Sequence, residues 1–309
     1  MSIMEYSLIR WPQSGNYILA ISGGADSMVM LNVFAAAAQA RGYNLTVAHF
    51  DHGLRLDSAE DATFVAHAAD HLGLPFLLHT ATLGSASEGL ARSARYAWLQ
   101  KVRVEVHASA ILTAHHQDDV VETSLLNLAR GSGRLGLAPM QASHNIARPF
   151  LQLSRAWLRE YARVHAVTWR EDPTNTDITN ARNVLRHVIL PAASDSWYLA
   201  YRNLIIDLAT LNKKIDQTIS ILLEAHKADE KSYTFPTQFI DNHTQAELEE
   251  ILLTAARSLS PGVQLDRALV EQAVNLMRRG HTGQLKPLRL GLVLYLHRGY
   301  VRLTTNSPV

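Results

Sequence analysis

The 309-residue sequence contains no cysteine. Disulfide staples, zinc–thiolate centres and catalysis by a thiol or persulfide are therefore excluded from this chain. Lysine is scarce. It fills only six (101, 213, 214, 227, 231 and 286) of the 29 lysine and arginine positions, so arginine supplies most of the positive charge. Arginine is the better side chain for forked contacts to phosphate. Net charge is only +1, which by itself neither supports nor excludes a nucleic-acid partner. No apolar run reaches membrane-spanning length, and the opening MSIMEYSLIRWPQSG has no signal-peptide pattern. No membrane partner and a cytoplasmic location are the expectations. Internal repeats and low-complexity tracts are also missing. What remains is 47% hydrophobic and 18% charged, a composition that suits about two globular domains, each with its own core.

The pattern over the first half alternates strands with helices. Residues 17–21, 44–50, 74–81 and 110–114 read as strands, and 27–40, 58–72, 88–107 and 118–130 as helices. Ser58 is the expected N-cap of the second helix, with Asp61 at its third position. Such alternation predicts an α/β fold, a parallel sheet with helices on both faces. Ligands in such sheets collect beyond the C-terminal ends of the strands, which points to residues 22–27, 51–55 and 115–122. Near residue 190 the character changes. A long helix is expected over 199–226, then helices over 243–259 and 266–279 and strands over 284–290, 292–297 and 300–304. The predicted division is 1–200 for a catalytic domain and 201–309 for a linker helix and a smaller α+β domain.

The most informative stretch is SGGADS, residues 22–27, between a strand and a helix start. Glycines admit positive φ and let an anion approach the backbone. The helix N-terminus adds unpaired N–H groups and a favourable dipole, and Ser22 and Ser27 add hydroxyls. A tight strand-to-helix turn is the plainer reading of the glycine pair alone. There is no Walker A pattern and no nearby lysine. GSGRLG at 131–136 matches a dinucleotide fingerprint by letter, but it follows a helical segment and reads as a helix stop and loop.

The full SGGADS resembles the PP-loop of the ATP pyrophosphatase superfamily. HFDHGLR (49–55), TAHHQDDVVETSLLNLARGSG (113–133), RPFL (148–151), EDPTN (171–175) and RNVLRHVILP (182–191) follow it in order. Together they resemble the tRNA(Ile)-lysidine synthase family, closely over about 20–190 and more weakly through the second domain. Longer family members carry a further C-terminal domain that this sequence does not reach.

The resemblance implies a reaction. ATP adenylates the C2 oxygen of the wobble cytidine in an isoleucine tRNA with anticodon CAU. Free L-lysine then displaces AMP to give lysidine. The expected partners are that tRNA, lysine and ATP, and a homodimer is allowed. ATP is expected on Ser22, Gly23, Gly24, Ala25, Asp26 and Ser27, with His49 at the end of the second strand. Asp26 is expected to help hold Mg²⁺, since a hard cation takes carboxylate and phosphate oxygens. Asp119 and Glu122, three apart on one helix face, suit the ammonium groups of lysine. Acids placed favourably at a helix start, with Glu122 in capping geometry, are the plainer reading. Arg186, in the N-x-L-R-H pattern, is expected at the adenylate, and Asp26, Asp119 and Arg186 form the expected catalytic set. Arg55, Arg92, Arg95 and Arg182 are expected to meet tRNA, although a solvated helix face accounts for Arg92 and Arg95 almost as well. His52 is expected near nucleotide or target base. Of the neighbours His115 and His116, structural or nucleotide-facing roles are expected, because adjacent histidines point apart.

Rival classes fare worse. PP-loop tRNA thiolases use cysteine persulfides or cysteine-bound clusters, and amidotransferase-type ligases need an ammonia source with no visible counterpart here. A tRNA-binding protein without turnover is opposed by the intact SGGADS and the acid pair.

Overall fold

A computed structural model describes residues 6–53, 58–81, 88–140, 145–171, 177 and 179–305. The chain divides into two compact units, Met1–Ala209 and Thr210–Val309.

In the first unit, the five strands among the described residues are β1 (Gly15–Ala20), β2 (Tyr43–Asp51), β3 (Phe76–Thr80), β4 (Ala110–Leu112) and β5 (Ile146–Ala147), in the order β3-β2-β1-β4-β5. Every pairing is parallel. The helices between them are α1 (Ala25–Arg41), α2 (Ser58–His71), α3 (Glu88–Glu105), α4 (Gln117–Ala129) and α5 (Arg134–Leu137), and α6 (Arg155–Val164) follows β5. The expected helices and strands of this half are present, with shifted ends. Sequence patterning did not indicate β5 or α6. β5 is only two residues long, and α6 lies in a stretch whose apolar positions are crowded by arginines.

Strand alternation sorts the core into two layers, because successive side chains point to opposite faces. Leu19, Val47 and Leu112 bury on one face against α1, α2 and α6, through Met30, Val65 and Trp157. Ile18, Ala48 and Ile111 bury on the other face against Leu99 and Val102 of α3. Helices therefore cover both faces, and only the strand ends are open to a ligand. Chain order reverses between β1 and β4, so the crevice at their C-terminal ends is the switch point of the sheet.

After α6 come α7 (Ala181–Val184), a π-helical turn (Leu185–Ile189), the short α8 (Leu190–Ala192) and the long α9 (Asp195–His226). The segment 181–192 is not one regular α-helix. Instead, Leu190 N–H reaches back to Leu185 O, and Pro191 has no N–H with which to restore the α-helical ladder. The first half of α9 packs through Tyr198, Tyr201 and Ile205 on Val121 of α4.

The second unit contains an antiparallel sheet of β6 (Lys227–Asp229), β7 (Ser232–Pro236), β8 (Leu285–Pro287), β9 (Val293–His297) and β10 (Tyr300–Thr304), in the order β6-β7-β10-β9-β8. With it come α10 (Thr237–Asp241), α11 (Gln245–Leu259) and α12 (Arg267–Arg279). Phe235, Leu252, Val274, Leu294 and Leu303 form its core. The polar segment 227–236 reads as a break in the sequence, yet it folds as the β6–β7 hairpin. In β7, Ser232, Tyr233 and Phe235 are buried, and the exposed Pro236 ends the strand. Among the described residues no helix is long and apolar enough to cross a membrane.

The first unit's core centres on Phe34, which is fully buried between Trp11, Tyr43 and Phe150. Phe34→Ala is expected to cost about 3–5 kcal/mol, because the rings around it cannot collapse onto the vacated volume. A lower urea midpoint at unchanged m-value measures this, and a midpoint unchanged from wild type contradicts it.

Candidate active site

SGGADS sits where β1 feeds α1. Gly23 has φ +89°, a conformation that side-chain-bearing residues rarely adopt, and Gly24 is the N-cap of α1. Ser27 Oγ donates to Gly24 O at 2.8 Å, and Ser22 N–H reaches Ser27 Oγ at 3.2 Å. From the segment after α6, Arg170 N–H donates to Gly23 O at 3.0 Å. Its guanidinium pairs with Glu60 and Asp61 of α2. The loop is thus held in an open curve with the α1 N-terminus behind it, a built anion cradle.

The cradle opens into a cavity of about 360 Å³ lined by residues from the ends of β1, β2 and β4, among them Asp26, His49, Phe50, His115 and Asp119. That volume lies in the ~300–1,000 Å³ range of small-ligand sites. His49 is buried, with Nδ1 2.8 Å from Ile21 O. It therefore braces the loop's approach, and burial pushes its pKa down. Asp51 Oδ1 accepts from Gly53 N–H at 2.8 Å. A Cβ on Gly53 would stand 2.5 Å from Ala81 O, so this turn admits only glycine. Next to it, His52 lies edge-on to Phe50 with ring centres 4.8 Å apart.

The acidic side of the cavity is organised by His116, which is fully buried. Its Nε2 lies 3.5 Å from both Asp26 Oδ2 and Asp119 Oδ2, and its Nδ1 lies 3.4 Å from Asp118 Oδ2. Burial disfavours its charge, but contacts with Asp118 and Asp26 and the charge of Asp119 prevail and hold the pKa up at about 9. Protonated, Nδ1 donates to the Asp118 carboxylate; deprotonated, it accepts from Asp118 N–H at 3.2 Å as the cap of α4. Asp119 Oδ2 completes the cap by accepting from His116 N–H at 3.0 Å. The capping acid is therefore Asp119 and not Glu122, because the helix starts at Gln117 and places Asp119 at its third position.

Glu122 does share a face with Asp119, but it is fully buried and already paired. Arg186 grips it from the π-helical turn, Nε to Oε1 at 2.9 Å and Nη2 to Oε2 at 2.8 Å. Arg155 Nη2 reaches Oε1 at 2.7 Å. Arg186 Nη2 is also 3.6 Å from Asp119 Oδ1. Patterning gave no indication of Arg155 or of the central place of His116. A signal existed for the first. Arg155 opens α6, directly after the N-cap Ser154, and a cation at a helix N-terminus is unfavourable unless an acid compensates it.

Arg92, Arg95 and Arg182 do converge, joined by Arg148. Burial and the charges of Arg148, Arg92, Arg95 and Arg182 push the pKa of His115 down to about 3. Arg92 and Arg95 both lie over the Tyr96 ring, at 5.0 and 5.1 Å from its centre. Arg95 lines the cavity, and Arg182 Nη2 donates to Thr123 Oγ1 at 3.0 Å. Arg55 lies outside the described residues, as does most of EDPTN. In GSGRLG the first residues form the stop after α4, with Gly131 at φ +69°, but the rest is not the expected loop: Gly133 caps α5, and Arg134, Leu135 and Gly136 lie in it.

Asp26 Oδ1 is buried and has no hydrogen-bond partner among the described residues. A hard oxygen of this kind fits a Mg²⁺ ion. Among the described residues no three His, Asp or Glu side chains form a ready-made metal cage, so phosphate and water oxygens would complete such an ion's shell.

The strand–SGGADS–helix cradle over the switch point defines a PP-loop nucleotide-binding fold, and a family model described as a PP-loop domain matches residues 4–193. A tRNA(Ile)-lysidine synthase from Chlorobaculum tepidum is 32% identical over 306 residues, covering 94% of this chain and 92% of that protein. The chain belongs to the tRNA(Ile)-lysidine synthase family. A namesake from Thermus thermophilus is 39% identical over 64% of this chain, and the match spans only 39% of its length. Among solved structures, the U34-tRNA thiolase NcsA from Methanococcus maripaludis superposes at a TM-score of 0.49 and 14% identity. That match covers 63% of this chain and 73% of the other, and it carries no functional argument.

The two histidines predict a pH profile of stability. Native His115 refuses a proton that the unfolded chain accepts near pH 6.5, so its contribution is full above 6.5 and is lost as pH falls toward about 3. Native His116 holds its proton up to about 9, so its contribution is full below 6.5 and is lost as pH rises through 9. Urea unfolding should show His115→Asn with a shallower acid limb, by up to about one proton, and an unchanged alkaline limb. An acid limb identical to wild type contradicts this.

Proposed function

We propose that the chain ligates lysine to C2 of the wobble cytidine in an isoleucine tRNA with a CAU anticodon, through an adenylated tRNA. The observation that carries this reading is the SGGADS cradle, which opens onto a cavity with an acidic wall and a basic wall. The cytidine C2 oxygen attacks the α-phosphorus of ATP, and the bond to the leaving pyrophosphate breaks. The lysine amine, having lost a proton, then attacks C2, and the C2–O bond to AMP breaks. Amides of the cradle and the hydroxyls of Ser22 and Ser27 would hold the pyrophosphate. Asp26 would hold Mg²⁺, which supplies charge neutralisation of the phosphates. Arg186 would face the adenylate, and the acid-lined wall would take the ammonium. Arg92, Arg95 and Arg182 suit tRNA phosphate, with Arg55 as a further candidate. The unit 210–309 is the proposed tRNA-recognition domain. The setting is cytoplasmic, with the enzyme acting as a monomer or a homodimer.

Nucleoside analysis of tRNA incubated with ATP and labelled lysine tests this reading. Lysidine, with AMP and pyrophosphate in equal amounts, is the expected result; ADP and phosphate would rule it out. Asp26→Asn should remove most of the turnover, on the order of 100-fold or more, because the leaving pyrophosphate loses charge stabilisation.

Binding of tRNA should weaken steeply with salt despite the net charge of +1. A shallow salt slope in a filter-binding titration would remove the arginine surface from the reading.

A further inference from the structure

The reading above leaves two carboxylates for one amine substrate, and the structure treats them differently. Glu122 has no exposed surface and carries three hydrogen bonds from two guanidiniums. Two cations on one carboxylate leave the Arg155–Glu122–Arg186 group with one net positive charge. A third cation on the same anion would raise that excess to two in a buried place. Asp119 is under-compensated by comparison. It accepts one hydrogen bond, from His116 N–H, and its two cation contacts, His116 Nε2 at 3.5 Å and Arg186 Nη2 at 3.6 Å, are longer than those on Glu122. Burial, together with the charges of Glu122 and Asp26, pushes its pKa up, with His116 opposing. At Glu122 burial acts in the same sense, but Arg186 and Arg155 outweigh it and push the pKa down. An incoming ammonium gains most beside the acid whose charge is least matched.

The geometry of Arg186 points the same way. Its contacts to Glu122 use Nε and Nη2. A guanidinium has a second planar edge, Nη1 with Nη2, that can fork onto an anion while the first stays engaged. Arg155 is fixed twice, through Glu122 and through its own N–H, which donates to Asp118 Oδ2 at 2.8 Å.

Resting on the lysine-ligation reading, we propose that Glu122 is a positioning residue that never touches the amine. It is the buried counterion that aims Arg186 at the phosphate side of the reaction, and Asp119 alone meets the substrate ammonium.

Steady-state kinetics on the full chain, with tRNA transcript, ATP and lysine, separate the two roles. Asp119→Asn should raise the KM for lysine at least about tenfold. Glu122→Gln should leave that KM within about twofold and slow formation of adenylated tRNA, read in single turnover, at least about tenfold. The double variant Glu122→Gln/Arg186→Gln should be no slower than Arg186→Gln, because the first change acts through the second residue. A rise in lysine KM in Glu122→Gln as large as in Asp119→Asn overturns the proposal, as does full additivity in the double variant. Should Glu122→Gln fail to fold by circular dichroism, Glu122→Gln/Arg155→Gln removes one anion and one cation together, and the same KM comparison decides. A wild-type enzyme that makes no lysine adduct removes the reading and the proposal at once. Equal KM effects in the two variants remove the proposal alone.

Discussion

One buried imidazole holds the site together. His116 lies against Asp26 at the start of α1 and against Asp118 and Asp119 at the start of α4. Asp118 in turn accepts from Arg155 N–H at the start of α6 and from Tyr198 of α9. Four helices are thereby referenced to one ring. An uncompensated carboxylate in such a place would protonate or draw in water. A protonated imidazole lets three carboxylates gather without neutralising them all, so Asp26 keeps an oxygen for a cation.

The residue before it has the opposite environment. His115 stands in the field of four arginines and stays neutral. Two consecutive backbone positions thus mark the boundary between a basic and an acidic wall. This division suits the proposed adenylyl transfer followed by amine attack, in which the polyanion and the amine would approach the target base from different directions. Catalysis of this kind depends on charges that are already in place before the reactants arrive.

Much of this was legible in the sequence, because the strands are short apolar runs and the loop chemistry is local. Ser22, Asp26, Ser27, Arg95 and Asp119 line one cavity, while Glu122 and Arg186 pair with each other beside Asp119. What patterning could not reveal depended on long-range pairing. Glu122 reads as a free acid on a helix face until Arg155 and Arg186 arrive from segments 33 and 64 residues away. The π-helical turn escaped because it rests on a single register choice, Leu190 N–H bonding Leu185 O, which the apolar pattern of LRHVI does not distinguish from an α-helix. The β6–β7 hairpin escaped because its segment is polar and its stability comes from pairing with β10.

The scarcity of lysine has a further meaning once the cavity is seen. Lys101 is the sole lysine before residue 213. It lies on α3, largely exposed, with Nζ 3.8 Å from Glu105. The cations facing the cavity and its carboxylates are guanidiniums and imidazoles. A guanidinium stays protonated at any working pH and is a poor nucleophile. Among the described residues of the first unit, no alkylamine lines the cavity, so an activated ring carbon formed there would meet none from that unit. Under the proposed reaction, the first unit would then keep its own amines out of a competition meant for a diffusing one, which would guard the intermediate and this unit from self-modification.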